Sequence, residues 1–302
     1  MTAATDIAAK MEGQQGTLYL CATPIGNLED MTYRAVRVLG DVELIAAEDT
    51  RHTRQLLTHF DIHTRLTSYH EHNKFEKGPE LIAWMQEGHD LACVSDAGLP
   101  GICDPGSHLA QLAIAAGLNV SPLPGANAGL SALICSGLDT TRFTFVGFLP
   151  KTAKKAQEVL EEVKGRTDTL IFYEAPHHLK KTLQALIRVL GDARQAALGR
   201  ELTKRFEEFR RGTLGELAAY YEENEPRGEY VIVVEGCGEE VAEAVEEKPQ
   251  DPKALYEHYL AKGMPKKEAM RAAAKDLGVS RRDVYNRLLA QTSQVQNTHK
   301  AL

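Results

Sequence analysis

Over residues 17–123, short apolar runs alternate with stretches in which apolar side chains recur every three or four positions. Residues 17–22, 42–47, 91–94 and 120–123 have the length and apolar content of strands buried on both faces. Residues 33–39, 79–87, 108–116 and 128–135 carry helical spacing and are expected to pack on the faces of that sheet. This alternation predicts a parallel α/β sheet.

A second unit begins near Phe143. Strands are expected at residues 170–173, 196–198, 207–211 and 230–234, and helices at 155–163, 179–190 and 214–221; the strand-rich close suggests a mixed sheet. Residues 237–252 are acidic and poor in large apolar side chains, which reads as a linker. Three short helical patterns follow at 253–262, 265–277 and 281–289, with Gly278, Val279 and Ser280 supplying a stop, an apolar residue and an N-cap between the last two. That is helix-turn-helix spacing. The expected organisation is a parallel-sheet domain over 16–141, a mixed-sheet domain over 142–236, the linker over 237–252 and a helical unit over 253–290.

Composition narrows the class. With 302 residues and 43% hydrophobic content the chain can bury sizeable cores, and no run reaches transmembrane length. Residues 1–15 lack the basic and apolar regions of a signal peptide and read as a frayed tail of a cytoplasmic protein. Five cysteines without a CxxC pair indicate neither a disulfide framework nor a thiolate zinc site. A net charge of -7 argues against nonspecific nucleic-acid binding by bulk electrostatics, yet residues 251–302 hold ten Lys/Arg against five Asp/Glu. The remaining residues carry -12, so the C-terminal end is the expected site of an anionic partner.

Candidate chemistry gathers at strand ends. The loop from Val94 to Gly106 contains three glycines and two prolines, and Asp104 followed by Pro105 reads as an N-cap with proline at the first helical position. Thr23 to Leu28 and Pro124 to Asn127 follow the first and fourth expected strands, so three Gly/Pro loops should share the sheet edge where ligands bind. No Walker sequence and no complete GxGxxG is present; Gly236-Cys237-Gly238 comes closest but runs into Glu239 and Glu240. A phosphate-poor cofactor therefore fits better than ATP or NAD. Glu48, Asp49, Arg51, His52 and Arg54 cluster where the second strand meets a helix; there they either serve a substrate or cap that helix. His70 and His72 lack a third metal ligand and suit a hydrogen-bonding loop, so no metal is expected. His177 and His178 stand at a helix entrance, and Arg200, Lys204, Arg205, Arg210 and Arg211 form a basic patch able to meet phosphates.

The segments TPIGNLEDMTYRA, AAEDTRHT, SYHEHN, VSDAGLPGICDPG, PLPG, GFLP, IFYEAPHHL and RELTKRFEEF occur in the order of one family. The chain resembles the ribosomal RNA small subunit methyltransferase I family, of the tetrapyrrole-methylase-like group, from Gly16 to about Glu235. It departs from the pattern at Leu99, where Thr is usual, and at Ala126-Asn127 after PLPG. The resemblance implies two α/β domains with S-adenosylmethionine in the cleft between them, a cytoplasmic homodimer, and methylation of a cytidine ribose 2'-hydroxyl near the decoding centre of 16S rRNA. It places Pro24, Gly26, Asn27, Ser95, Asp96, Ala97, Gly98, Pro124, Gly125 and Phe148 at the cofactor, and Glu48, Asp49 and Arg51 at the reaction. His52, Arg54, His70, His72, His177, Arg200, Lys204, Arg281 and Arg282 are the expected substrate contacts. In-line methyl transfer makes positioning the main task, and the general base stays open among Glu48, Asp49, Asp96, His52 and water. Two other functions share these features: methylation of a tetrapyrrole or other small molecule on the same fold, and a nonenzymatic helix-turn-helix regulator that binds nucleic acid. The regulator leaves the three converging loops without a purpose.

Overall fold

The computed structural model describes residues 15–238, 251–261, 263–285 and 288. The expected N-terminal tail, apart from Gln15, lies outside them, as do the expected linker from Glu239 to Gln250 and most of the third C-terminal helical pattern beyond Tyr285. The described residues fall into two compact units, one ending at Gly238 and one starting at Asp251.

The first unit contains two sheets. Strands β1 (Thr17–Cys21), β2 (Leu44–Ala47), β3 (Arg65–Ser68), β4 (Leu91–Val94) and β5 (Asn119–Leu123) form a parallel sheet in the order β3-β2-β4-β1-β5. Every residue of β4 is buried, as its central place between two helical layers requires. Helices α1 (Tyr33–Asp41) and α2 (Thr50–His59) cover one face, where Val38, Leu39 and Leu57 meet Ile45, Ala92 and Val94. Helices α3 (Lys74–Gln86) and α4 (Gly106–Ala115) cover the other, where Leu81, Met85 and Leu109 meet Leu18, Leu91 and Cys93. Strand β3 escapes the sequence reading because Arg65-Leu66-Thr67-Ser68 offers one large apolar side chain, enough for an edge strand paired only with β2.

The second sheet runs β6-β7-β10-β8-β9, from β6 (Phe143–Phe148), β7 (Thr169–Glu174), β8 (Gln195–Arg200), β9 (Glu208–Thr213) and β10 (Tyr230–Val234). It is mixed: β6 pairs with β7 in parallel, and the remaining pairs are antiparallel. Helices α6 (Ala153–Val163), α7 (Pro176–Leu190) and α8 (Leu214–Glu223) pack on one face over Leu170, Phe172, Leu198 and Ile232.

Helix α5 (Ala128–Ser136) corrects an expectation. It covers the opposite face of this second sheet, setting Ala132 and Leu133 against Ile171, Val231 and Val233, instead of packing on the first. Helical spacing shows that a face must be buried but not which sheet buries it. The chain therefore crosses between the sheets right after β5, and the loops at the ends of the parallel strands face the second sheet.

In the other unit, helices Pro252–Ala261 and Lys266–Asp276 and the helical residues 281–285 enclose Leu255, Tyr259, Ala269, Ala273 and Val284. Gly278 ends the second of these helices at φ +62°. Ser280 opens the next helical stretch, its hydroxyl accepting the Asp283 N–H at 3.2 Å, so the stop and cap read from sequence are in place.

Candidate active site

The three loops expected to converge are tied together by main-chain bonds. Thr23 N–H donates to Gly98 O at 2.9 Å and Gly98 N–H returns to Thr23 O at 3.0 Å, while the Thr23 hydroxyl donates to Ser95 O at 3.2 Å. Gly98 adopts φ +77°, and a Cβ there would stand 3.4 Å from both Ala126 O and Ile25 Cγ2, so the three loops touch at this residue. The Asp104 carboxylate accepts from Gly101 N–H and Gly106 N–H, each at 2.8 Å, which folds the long loop onto the start of α4. The helix begins at Gly106, one residue later than expected, and Pro105 occupies the position before it.

Between these loops and the second sheet lies a cleft of about 360 Å³. Glu48, Ser95, Asp96, Ala97, Gly98 and Leu99 line it from the first sheet. Phe148, Tyr173, Gly199, Leu202, Glu201, Lys204 and Glu229 line it from the second. Tyr173 braces the junction: its hydroxyl accepts the Gly129 N–H of α5 at 3.0 Å, and its ring meets Phe145 and Phe148 edge to face at 5.0 and 5.6 Å.

Charge is distributed unevenly around the cleft. Burial, reinforced by neighbouring Asp96, pushes the Glu48 carboxyl above its ordinary pKa, and the Asp96 N–H points at Glu48 from 3.5 Å. Burial also raises Asp104, against the pull of the N–H groups of Gly101 and Gly106. Across the cleft, Lys204 Nζ sits 2.9 Å from Glu201 Oε1 and 2.8 Å from Glu229 Oε2. Burial alone would raise Glu201, but Lys204 and the Glu229 N–H outweigh it and hold the carboxyl below its usual range. The Thr203 backbone beside it is left-handed at φ +66°, as is that of Glu201 at +49°.

Of the residues anticipated from sequence, Glu48, Ser95, Asp96, Ala97, Gly98, Phe148 and Lys204 line the cleft. Others stand behind it: Gly26 lies under Lys204, where a Cβ would come within 2.4 Å of Cγ, and Gly125 packs against Ala22 at 2.7 Å by the same measure. Pro124 and Pro24 flank those glycines and are not lining residues. Asn27 caps the short turn Leu28–Asp30 by accepting the Glu29 N–H at 3.1 Å. Asp49 caps α2 through the Arg51 N–H at 2.8 Å and pairs with the Arg51 guanidinium at 2.7 Å, so helix capping accounts for the Asp49 side chain; that of Arg51 is 89% exposed. His52 and Arg54 are exposed on the same helix. His70 is half-buried, with its ring 6.0 Å from exposed His72, and His177 is exposed beside His178 at the start of α7. Among the described residues no group of three metal-ligating side chains occurs.

The basic patch read from sequence is engaged internally except at Arg205, which is exposed over the Phe206 ring. Arg200 donates to Arg227 O at 2.7 Å and pairs with Glu208 at 3.4 Å; Arg210 also pairs with Glu208 and lies 3.5 Å above the Tyr220 ring; Arg211 donates to Ser136 O at 3.1 Å. Lys204 is held by its two glutamates, which removes it as a free phosphate contact. Arg281 and Arg282 are exposed on the separate helical unit.

Sequence reasoning missed Tyr173, Glu201, Glu229, Leu202 and Cys103 as cleft residues. The Glu201 signal is present in RELTK, where the flanking cations outweigh it. Tyr173 carried none, since an aromatic in a strand is ordinary core material.

Residues 17–218 match the Tetrapyrrole (Corrin/Porphyrin) Methylases family. The chain is 51% identical to a protein of Halalkalibacterium halodurans named Ribosomal RNA small subunit methyltransferase I, across 93% of this chain and 98% of that one. It is 48% identical to the protein of that name from Bacillus subtilis, across 91% and 94%. Among solved structures, a uroporphyrin-III-C-methyltransferase from Thermus thermophilus shares the fold at TM-score 0.52 and 22% identity, covering 77% of this chain and 98% of that one. A diphthine synthase does so at 0.57 and 13%, covering 73% and 90%. The chain thus belongs to the tetrapyrrole methylase family, within its ribosomal RNA small subunit methyltransferase I group, and its methyl donor is S-adenosylmethionine.

Proposed function

We propose that this chain methylates the ribose 2'-hydroxyl of a decoding-centre cytidine in 16S rRNA within the small ribosomal subunit. The observation that carries the substrate is the near end-to-end likeness to relatives named for small-subunit rRNA. The 22% likeness to a porphyrin methyltransferase speaks only to fold, so tetrapyrroles are the weaker substrate. The cytoplasmic homodimer implied by the family motifs belongs to the same proposal; among the described residues no helix is long and apolar enough to cross a membrane.

The cleft suits the donor. Five acidic residues, Glu48, Asp96, Asp104, Glu201 and Glu229, line it against the single amine of Lys204, a fitting environment for a cationic ligand; Glu174 also borders it, but its carboxylate accepts from the Thr182 hydroxyl of α7. Ile25, Leu202 and Val231 provide apolar wall for an aromatic base, and exposed Ala97 provides main-chain hydrogen-bonding groups. When bound, S-adenosylmethionine supplies a methyl group on a positively charged sulfur. The chain's own task is to hold a ribose hydroxyl in line and accept its proton. Asp49 caps α2 and is held well below the usual carboxylate range by Arg51, which makes it a poor proton acceptor. Glu48 lines the cleft and has a raised proton affinity, so it is the base assigned here. Arg281 and Arg282 assist capture of the subunit from the helical unit.

The test incubates the chain and labelled donor with 30S subunits, free 16S RNA and tetrapyrrole precursors, then maps the product by nuclease digestion and mass spectrometry. A 2'-O-methylcytidine is expected. Base methylation, or activity on tetrapyrroles alone, overturns the reading.

A further inference from the structure

A second depression, about 490 Å³, lies between α6 and α7, and the buried Glu174 that borders the methyl-transfer cleft also borders this groove. Its charge is opposite. Lys151, Lys181 and Arg188 line it, and none of the three pairs with a carboxylate among the described residues. Lys181 and Arg188 stand seven residues apart on one stripe of α7, with Gln184 between them. Helix α6 turns its small and amide side chains, Ala153, Ala156 and Gln157, to the groove and keeps Glu158, Glu161 and Glu162 off its lining. Glu222 is the one exposed acid at its edge, and Lys180 is tied to Glu225 at 3.5 Å. In a body whose first 250 residues carry -12, three unpaired cations on one groove call for an anionic partner.

We infer that this α6–α7 groove holds the phosphodiester backbone of the RNA strand whose ribose enters the neighbouring cleft; the inference rests on the RNA reading of the function. The two sites divide the work by charge. A cleft lined by five acidic residues disfavours phosphates, so the strand must be gripped just outside it, and Arg200, Arg210 and Arg211 of β8 and β9 are already engaged by internal partners. The groove begins one residue wall away, at Glu174, and the α7 stretch from His178 to Arg188 extends it about 15 Å. Lysine and arginine without base-edge geometry hold the backbone without reading sequence, which leaves nucleotide choice to the cleft.

The experiment compares the full-length chain with a Lys151→Gln/Lys181→Gln/Arg188→Gln variant and a control, Lys155→Gln, on α6 outside the groove lining. Binding to 30S subunits and to a fluorescent single-stranded RNA is measured across a salt series, and donor affinity by calorimetry. The triple variant should bind RNA at least about tenfold more weakly near 0.1 M salt, with the log–log salt slope shallower by about 2, and donor affinity unchanged. The control should match the parent. Parent and triple variant binding RNA with the same affinity and slope overturns the groove while leaving the methyltransferase reading intact. A parent chain that binds donor but no RNA overturns both together.

Discussion

The two walls of the cleft treat negative charge in opposite ways. On the first sheet, Glu48 and Asp104 are raised by burial and face carboxylate neighbours, so the wall stores a proton affinity that chemistry can use. On the second, Glu201 is lowered by the Lys204 lattice, so its charge is fixed in place. The first wall is made of main chain shaped by glycine, as at Gly98, and the second of ion-paired side chains on a loop that forces Glu201 and Thr203 into left-handed backbone. A carboxylate left to burial keeps a raised proton affinity and one clamped by a cation keeps its charge, so the two walls are told apart by how each carboxylate is compensated.

The sharpest way to break the contrast is Glu48→Gln. If Glu48 accepts the ribose proton, single-turnover methyl transfer on 30S subunits falls about 100-fold or more, with donor affinity far less affected. The parent rate should climb as pH rises through the raised Glu48 value and level off above it. A normal rate in a folded Gln variant would move the proton to another acceptor.

Gly98→Val attacks the main-chain wall. A β-branched residue at φ +77° with its Cβ 3.4 Å from Ala126 O should cost about 2 kcal/mol and part the three loops. Calorimetry should show donor affinity down about tenfold; an unchanged value in a folded protein would place the donor elsewhere.

Lys204→Met tests the fixed charge. Leaving Glu201 and Glu229 without their shared cation should cost about 1 kcal/mol at neutral pH, a modest figure because the site is partly open to solvent. The lowered Glu201 contributes stability above the ordinary carboxylate range and loses it as pH falls through its lowered value, so urea midpoints of parent and variant should converge in acid. Glu48 has the reverse sign. Its contribution is present below the ordinary carboxylate pKa and is lost as pH rises through the raised value, so Glu48→Gln should slightly stabilise the protein at neutral pH. Midpoints that stay parallel at every pH would remove the distinction between the walls.

The smallest effect is expected at Thr203→Gly. It relieves a left-handed threonine whose buried hydroxyl has no hydrogen-bond partner, against the greater chain entropy of glycine, for a gain of about 1 kcal/mol. Thermal unfolding that shows destabilisation would mean the loop is not under strain.

The same contrast explains what could be read in the chain beforehand. Glycine and proline leave a local signature, so the loops at Thr23, Ser95 and Pro124 are legible, and apolar runs of strand length mark the central strands of both sheets. The lattice Glu201–Lys204–Glu229 is closed by Glu229, 25 residues from Lys204, a separation that leaves no local pattern, so Lys204 reads as a free cation. The Glu48–Arg54 cluster keeps two readings for a related reason: a strand-to-helix junction needs a polar cap, here Asp49, whether or not a substrate arrives. Helix α5 shows that spacing along the chain says nothing of which sheet a helix will cover.

The position of β10 at the middle of the second sheet has a consequence for the order in which the newly made chain can fold. The parallel sheet has all its strands once Leu123 has left the ribosome. Helix α5 emerges next with Ala132 and Leu133 bare, and Ile171 on β7 follows without its central neighbour. Only when Tyr230 to Val234 slot between β7 and β8 does α5 gain a complete floor. At synthesis rates of about 5–20 residues per second, the half-built lobe waits for roughly 5 to 20 seconds, an interval in which a holding chaperone has a defined apolar target.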